Sequence, residues 1–191
     1  MVDGPGIFFS EATMKTIILC GGIGYRLKEE TEFKPKPMVY VGGKPMIWHI
    51  MKIYAAFGYR DFILALGYKS EYMKDFFLNQ KAFTSDFTLS TKSHKVTYYL
   101  EHRRDVEDLT ITFVDTGVDT LPGERILLCE RYVSRGDRQF MVTYGDGVSD
   151  IDIPKLIDFH HHHGRLATLT AIQPTGKFGA LHIENDDSIS A

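Results

Sequence analysis

The stretch "ILCGGIGYRLKEETEFKPKP" (residues 18–37) decides how this chain folds. It sets Gly21, Gly22 and Gly24 directly behind an apolar run, follows them with Arg26, and ends in Lys34-Pro35-Lys36-Pro37. An apolar run closed by glycines is the pattern of a buried strand entering a tight turn. In open α/β sheets such turns lie outside the carboxyl ends of the strands, where ligands bind. Glycines there let main-chain amides approach a phosphate closely, and the cations behind them suit the same anionic ligand.

Outward from this loop, apolar runs of strand length recur: "KTIILC" (15–20), "DFILAL" (61–66), "VTYYLE" (96–101), "ITFVDT" (111–116), "FMVTYGD" (140–146) and "ATLTAI" (167–172). Helical spacing fills several of the gaps. In "KPMIWHIMKIYAAFG", Ile47, Ile50, Met51 and Tyr54 fall on one face, and Gly58 suits the helix end. "SEYMKDFFLNQ" opens on Ser70 as a cap, and "DIPKLIDFHHHHG" places Pro154 at a start and Gly164 at an end. Alternating strands and helices predict an α/β fold: a mixed, mainly parallel sheet flanked by helices, Rossmann-like. Residues 79–110 are polar and irregular, which predicts an insertion or an oligomer contact.

The 191 residues, 43% of them hydrophobic, are enough for one sizeable core. Residues 1–13 read as a non-native or disordered extension before Met14, with residues 14–191 as the domain. The chain stops soon after "FGALHIE" without a closing helix, which predicts a C-terminally incomplete piece of a longer protein. A net charge of −3 gives no general attraction to nucleic acid or to an anionic membrane, so the expected partner is small. Two cysteines make no disulfide framework, and no window is apolar enough for a membrane span, which together predict a cytoplasmic protein.

Three phosphate loops are open to the glycine stretch. A Walker loop needs G-x-x-x-x-G-K-[ST], which is absent, and the dinucleotide fingerprint fails because Leu27 stands at its last glycine. The remaining pattern, G-G-x-G-x-R-L followed by Lys-Pro, is matched by Gly21, Gly22, Gly24, Arg26 and Leu27 with Lys36-Pro37. It resembles the sugar nucleotidyltransferase family. Further stretches, "KPKPMVYVGGKPMIWHIM", "FVDTGVDTLPGERI", "TYGDGVSDIDI" and "FGALHIE", make the chain similar to the glucose-1-phosphate cytidylyltransferase branch, the CDP-glucose pyrophosphorylases.

That resemblance implies a reaction of CTP with α-D-glucose 1-phosphate that yields CDP-glucose and pyrophosphate, with Mg²⁺, feeding deoxysugar and surface-polysaccharide (O-antigen) synthesis in a homo-oligomer. It implies nucleotide binding by Leu19, Cys20, Gly21, Gly22, Ile23, Gly24 and Tyr25, the last standing where the family has Thr. Arg26 and Lys36 would lie on the triphosphate and the transferring phosphate, Thr120 and Arg125 on the polar edge of cytosine, Gly145 near the ribose, and Gly179 near the sugar. Pro122-Gly123-Glu124 departs from the family's Thr-Gly-Gly. The family's Glu-Lys-Pro segment and second metal aspartate have no counterpart up to Ala191.

Residue chemistry fits that reading. Crowded phosphate charge calls for cations, amides and Mg²⁺ rather than a general base, because the attacking phosphate oxygen is already anionic. Asp146, at the end of an apolar strand and between glycines, is the expected metal ligand. Asp150 and Asp152 read as turn and helix-start carboxylates, and the four histidines 160–163 as a helix end rather than a metal site. Other readings stay open: a non-catalytic nucleotide-binding fragment, or a uridylyl- or thymidylyltransferase of the same fold.

Overall fold

The computed structural model of the protein describes residues 14–22, 34–99, 108–133, 139–172, 182–183 and 189–190. The chain divides into two compact units, 1–151 and 152–191.

The first unit is built on four parallel strands in the order β7-β4-β1-β8: β1 (Thr16–Cys20), β4 (Asp61–Leu66), β7 (Thr110–Asp115) and β8 (Met141–Tyr144). β1 sits inside the sheet, with Ile17 opposite Ile63 on one side and Val142 on the other. Residues 62–66 of β4 are fully buried, as the unbroken apolar run "FILAL" requires of a strand covered on both faces. Successive side chains alternate between those faces. Ile18, Cys20, Phe62, Leu64 and Leu66 pack with Ile47, Ile50 and Met51 of α1 (Met46–Ala56) and Met73 of α2 (Ser70–Thr84). Ile17, Leu19, Ile63 and Val114 pack instead with Cys129 of α3 (Pro122–Cys129).

Helix α1 matches its predicted face, with Ala55 joining the buried set and Tyr54 half-buried against the core. Gly58 closes it at φ +91°, a left-handed conformation that glycine adopts without strain. Helix α2 differs at its start. Lys69, at φ 51°, is the cap residue, and Ser70 lies one position inside the helix without a capping hydrogen bond. The reversal at 67–69 places the αL residue, rather than the Ser hydroxyl, at the boundary.

Smaller pieces are antiparallel: β2 (Tyr40–Val41) with β3 (Lys44–Pro45), and β5 (Asp86–Ser90) with β6 (Lys95–Tyr99). The run expected as a strand at 96–101 is therefore one arm of a hairpin and not a member of the parallel sheet; residues 100–107 lie outside the described ones.

In the second unit, α4 (Ile153–His163) starts where Asp152 accepts a hydrogen bond from the Lys155 amide at 3.1 Å. It ends at Gly164, φ 62°. His160 and His163 both bond the Thr168 hydroxyl, at 2.8 and 2.6 Å, a hydrogen-bonded helix end of the kind expected. The strand expected at 167–172 is not formed: these residues are irregular, with Leu169 and Ile172 almost fully exposed. A strand needs a ladder partner for its amides and carbonyls, and among the described residues this segment has none. β9 (His182–Ile183) and β10 (Ile189–Ser190) pair antiparallel. Among the described residues no helix is long and apolar enough to cross a membrane.

Candidate functional site

Parallel strands all finish at the same edge of a sheet. Register puts Cys20 beside Leu66, Leu66 beside Asp115, and Leu19 beside Tyr144. The segments that leave those strands, Gly21–Gly22, Gly67, Thr116–Thr120 and Gly145–Asp146, therefore meet in one place. A cavity of about 270 Å³ opens there, lined by Leu19, Cys20, Gly21, Gly22, Lys36, Pro37, Val118, Thr120, Pro122, Arg125, Tyr144 and Asp146.

Lys36 reaches this cavity because its neighbours are held. Pro35 and Pro37 are buried on either side of it, and Met38 packs into the core. The two rings lock φ at positions 35 and 37 on either side of the lysine, and the 3-10 turn Lys36–Met38 leaves its side chain half-buried. Its ammonium lies 3.4 Å from Oδ2 of Asp146, a carboxylate delivered by the end of β8 across 110 residues of sequence. Both side chains are partly exposed, so the pair contributes little to stability. A cation and a carboxylate remain side by side at the cavity wall, each able to exchange its partner for a ligand.

Gly145, one residue before, is buried and closely surrounded. A Cβ there would stand 2.8 Å from Cys20 Sγ, 2.9 Å from Pro37 Cγ and 3.2 Å from the Leu19 carbonyl. Cys20 is free and buried. Burial pushes its thiol pKa well above the ordinary range, the charge of Asp146 adds to the rise, and Arg125 opposes it. The thiol is therefore a packing group.

On the opposite wall, a turn held by its own polar groups follows β7. The Gly117 amide donates to Asp115 Oδ1 at 3.1 Å, Gly117 adopts φ +84°, and the Thr120 hydroxyl donates to the Thr116 carbonyl. Arg125, on the first turns of α3, is only 4% exposed. Burial lowers its pKa while Asp115, Asp119 and Glu124 raise it, and a guanidinium stays charged under any physiological condition. The resemblance sends Arg125 toward a base edge. In the structure its terminal nitrogens are turned to protein acceptors, the carbonyls of Gly21, Leu66, Gly117 and Val118 and the Thr116 hydroxyl.

Of the sequence-predicted residues, Leu19, Cys20, Gly21, Gly22, Lys36, Thr120, Arg125 and Asp146 share the cavity wall, and Gly145 sits behind it. Ile23, Gly24, Tyr25, Arg26 and Gly179 lie outside the described residues. Val118, Pro122, Tyr144 and Gly67 were missed. The signal for Gly67 was present, a glycine directly behind the apolar run 61–66, the same pattern as Gly21 behind β1.

The chain matches the nucleotidyl transferase family over residues 15–191. It belongs to that family. The chain is 48% identical over 171 residues to glucose-1-phosphate cytidylyltransferase of Salmonella typhi, covering 90% of this chain and 65% of that protein. It is 44% identical over 172 residues to the probable glucose-1-phosphate cytidylyltransferase of Bacillus subtilis, with the same two shares of 90% and 65%. Among solved structures, HddC from Yersinia pseudotuberculosis superposes with a TM-score of 0.56 at 24% identity, covering 77% of this chain and 54% of that one, which shows the shared fold. The chain thus spans 65% of the length of these curated relatives.

Proposed function

We propose that this chain carries the nucleotide-binding half of an enzyme that transfers a cytidylyl group from CTP to α-D-glucose 1-phosphate, giving CDP-glucose and pyrophosphate. The observation that carries the reading is the meeting of Gly21–Gly22, Lys36 and Asp146 at one end of the parallel sheet. The 48% identity to a glucose-1-phosphate cytidylyltransferase supports the choice of base and sugar.

In this reaction a phosphate oxygen of glucose 1-phosphate attacks the α-phosphorus of CTP. The bond from that phosphorus to the bridging oxygen breaks, and pyrophosphate leaves with the electron pair. No proton has to be removed from the nucleophile. The protein's task is alignment and charge neutralisation in a site that excludes water. Lys36 leaves Asp146 for a phosphate oxygen of the bound triphosphate, while main-chain amides at Gly21–Gly22 donate to the phosphates. Mg²⁺, when bound, supplies further neutralisation of the phosphates. Asp146 is the residue that would hold it: a single carboxylate at the cavity wall fits an ion that takes most of its oxygens from phosphate and water. Among the described residues no cluster of three or more metal-ligating side chains competes for that role.

Arg26 on the triphosphate, Thr120 toward the base and Gly179 toward the sugar complete the proposed assignments on the strength of the resemblance. CDP-glucose made this way would serve deoxysugar and surface-polysaccharide synthesis in the cytoplasm. A homo-oligomer is proposed on the same ground.

Pyrophosphate release with Mg²⁺ and glucose 1-phosphate, compared across CTP, UTP, dTTP, ATP and GTP, tests the reading. Release with CTP is expected; release with UTP or dTTP in its place would move the chain to another branch of the family. Nucleotide binding without release would favour a non-catalytic nucleotide-binding fragment. Asp146→Asn should lower Mg²⁺-dependent turnover by about a hundredfold or more with an unchanged circular dichroism spectrum, and wild-type turnover in that variant would remove Asp146 from the site.

A further inference from the structure

One group at the sheet edge has no part in the chemistry above. Strand ends leave main-chain carbonyls without ladder partners, and such groups must be satisfied when buried. At the ends of β1, β4 and β7 the Leu66 carbonyl accepts from the Thr116 amide at 2.9 Å and the Thr116 hydroxyl at 2.6 Å, the Gly21 carbonyl from the Tyr68 amide at 3.2 Å, and one further side chain joins all three ends. Arg125 Nη1 donates to Thr116 Oγ1 at 2.5 Å, to the Gly117 carbonyl at 2.6 Å and to the Leu66 carbonyl at 3.3 Å. Nη2 donates to the Val118 carbonyl at 2.8 Å and to the Gly21 carbonyl at 3.2 Å. Each terminal nitrogen carries two protons, so both are fully engaged by protein acceptors.

The space for this arrangement is made by glycines. A Cβ on Gly21 would lie 1.9 Å from Arg125 Nη1. On Gly67 it would lie 2.5 Å from the Gly117 carbonyl, 2.6 Å from the Gly21 carbonyl and 2.9 Å from Arg125 Nη1. Two of the three atoms crowding Gly67 are main chain, which cannot swing aside as a side-chain tip can.

The consequence concerns the phosphate loop. A trans peptide is planar, with its carbonyl and the following N–H on opposite sides. The Gly21 carbonyl is held by Arg125 Nη2 and by the Tyr68 amide, each at 3.2 Å. The Gly22 N–H is thereby turned away from the guanidinium. The Gly117 and Val118 carbonyls are drawn inward in the same way, which turns the amides of Val118 and Asp119 outward. An anionic ligand at this edge meets amide hydrogens instead of carbonyl oxygens because Arg125 holds the oxygens.

We infer that Arg125, in the space kept open by Gly67, is a positioning residue for the triphosphate, acting through the main chain of Gly21–Gly22 rather than by contact with the base. This rests on the nucleotide reading proposed above. It predicts that the effect of Arg125 is blind to the base. A side chain that reads cytosine directly affects CTP and leaves a base-free triphosphate untouched; one that aims the phosphate loop affects both alike.

The experiment titrates CTP, UTP and inorganic tripolyphosphate, each with Mg²⁺, into the 191-residue chain and its variants Arg125→Lys and Gly67→Ala by calorimetry, with circular dichroism to verify folding. A lysine cannot bridge the three strand ends. The expected result is a loss of about tenfold or more in affinity for tripolyphosphate, the same factor for CTP, and an unchanged ratio of CTP to UTP affinity. Thr116→Val removes the hydroxyl that accepts from Nη1 at 2.5 Å and donates to the Leu66 carbonyl at 2.6 Å, and should show a smaller, equally base-blind loss; it carries the test if either stronger variant unfolds. Wild-type tripolyphosphate affinity in a folded Arg125→Lys or Thr116→Val, with CTP alone weakened, would overturn the inference and make this corner a base reader. Wild-type affinities for all three ligands in Gly67→Ala would refute the requirement for space. If the unmodified chain binds none of the three, the nucleotide reading itself fails and the inference falls with it.

Discussion

The carboxyl edge of the parallel sheet and the β5–β6 hairpin are both strand pairings of similar length, yet they are held by opposite means. Along β4 every residue from Phe62 to Leu66 is fully buried, and the loops beyond it are tied through one guanidinium. Along β5 all five residues are exposed, among them Phe87 and Leu89. The hairpin keeps its register through local cross-strand pairs. Phe87 and Tyr98 face each other with ring centroids 5.6 Å apart, Thr88 meets the Tyr99 hydroxyl at 3.1 Å, and Lys81 of α2 stands over the Tyr98 ring at 4.3 Å. An isolated two-stranded hairpin is marginal in water, so these pairs and the tether to α2 keep it ordered. The lesson is where function can be placed. Precise convergence of distant segments is available at the buried edge, where a displaced atom meets neighbours on all sides, and not along a surface that tolerates rearrangement.

Substitutions that alter burial should separate the two regions. The largest effect is expected for Phe62→Ala, which removes a fully buried ring packed edge-on to Tyr54; a loss of about 3–5 kcal/mol should appear in urea unfolding. A loss below about 1 kcal/mol would show that the sheet core relaxes as readily as the hairpin.

Gly145→Ala should come next, destabilising by about 1–3 kcal/mol through overpacking, with weaker CTP binding. Its added methyl meets the Pro37 ring and the Leu19 carbonyl as well as Cys20 Sγ. The double variant Cys20→Ala with Gly145→Ala should recover part of that loss; no recovery would mean that Pro37 and the main chain dominate the contact.

Phe87→Ala in the hairpin should lower stability by about 0.2–1 kcal/mol, the range of a cross-strand pair. Leu89→Ser, on an exposed position with no ring partner, is expected to stay within about 0.5 kcal/mol of the unmodified chain. A loss above about 2 kcal/mol at either hairpin position would erase the comparison and identify a buried contact for that surface in solution.

Much of the parallel sheet is legible in the amino-acid sequence. Strand positions follow from apolar runs because a strand buried on both faces leaves no place for polar residues, and the sheet strands end within two residues of the expected points. The face of α1 follows from a period that holds wherever one helix side meets a core. The run at 167–172 has the same composition without forming a strand, since composition states a preference for burial and does not provide a partner. Ser70 fails as a cap because the chain's path into α2 is set by the turn at 67–69.

By itself the sequence determined a glycine turn behind a buried strand, and it offered Arg26, Lys36 and Asp146 as the charged groups expected around an anionic ligand there. These are statements about residue type and local spacing. Only the tertiary structure decided that Lys36 and Asp146, separated by 110 positions, stand 3.4 Å apart. It also decided that Arg125, separated by 104 positions from Gly21, holds that glycine's carbonyl. Local pattern cannot specify such pairs, because parallel strands become neighbours through long crossover connections and not through sequence proximity. The orientation of a guanidinium is then chosen by whichever carbonyls the finished sheet edge presents.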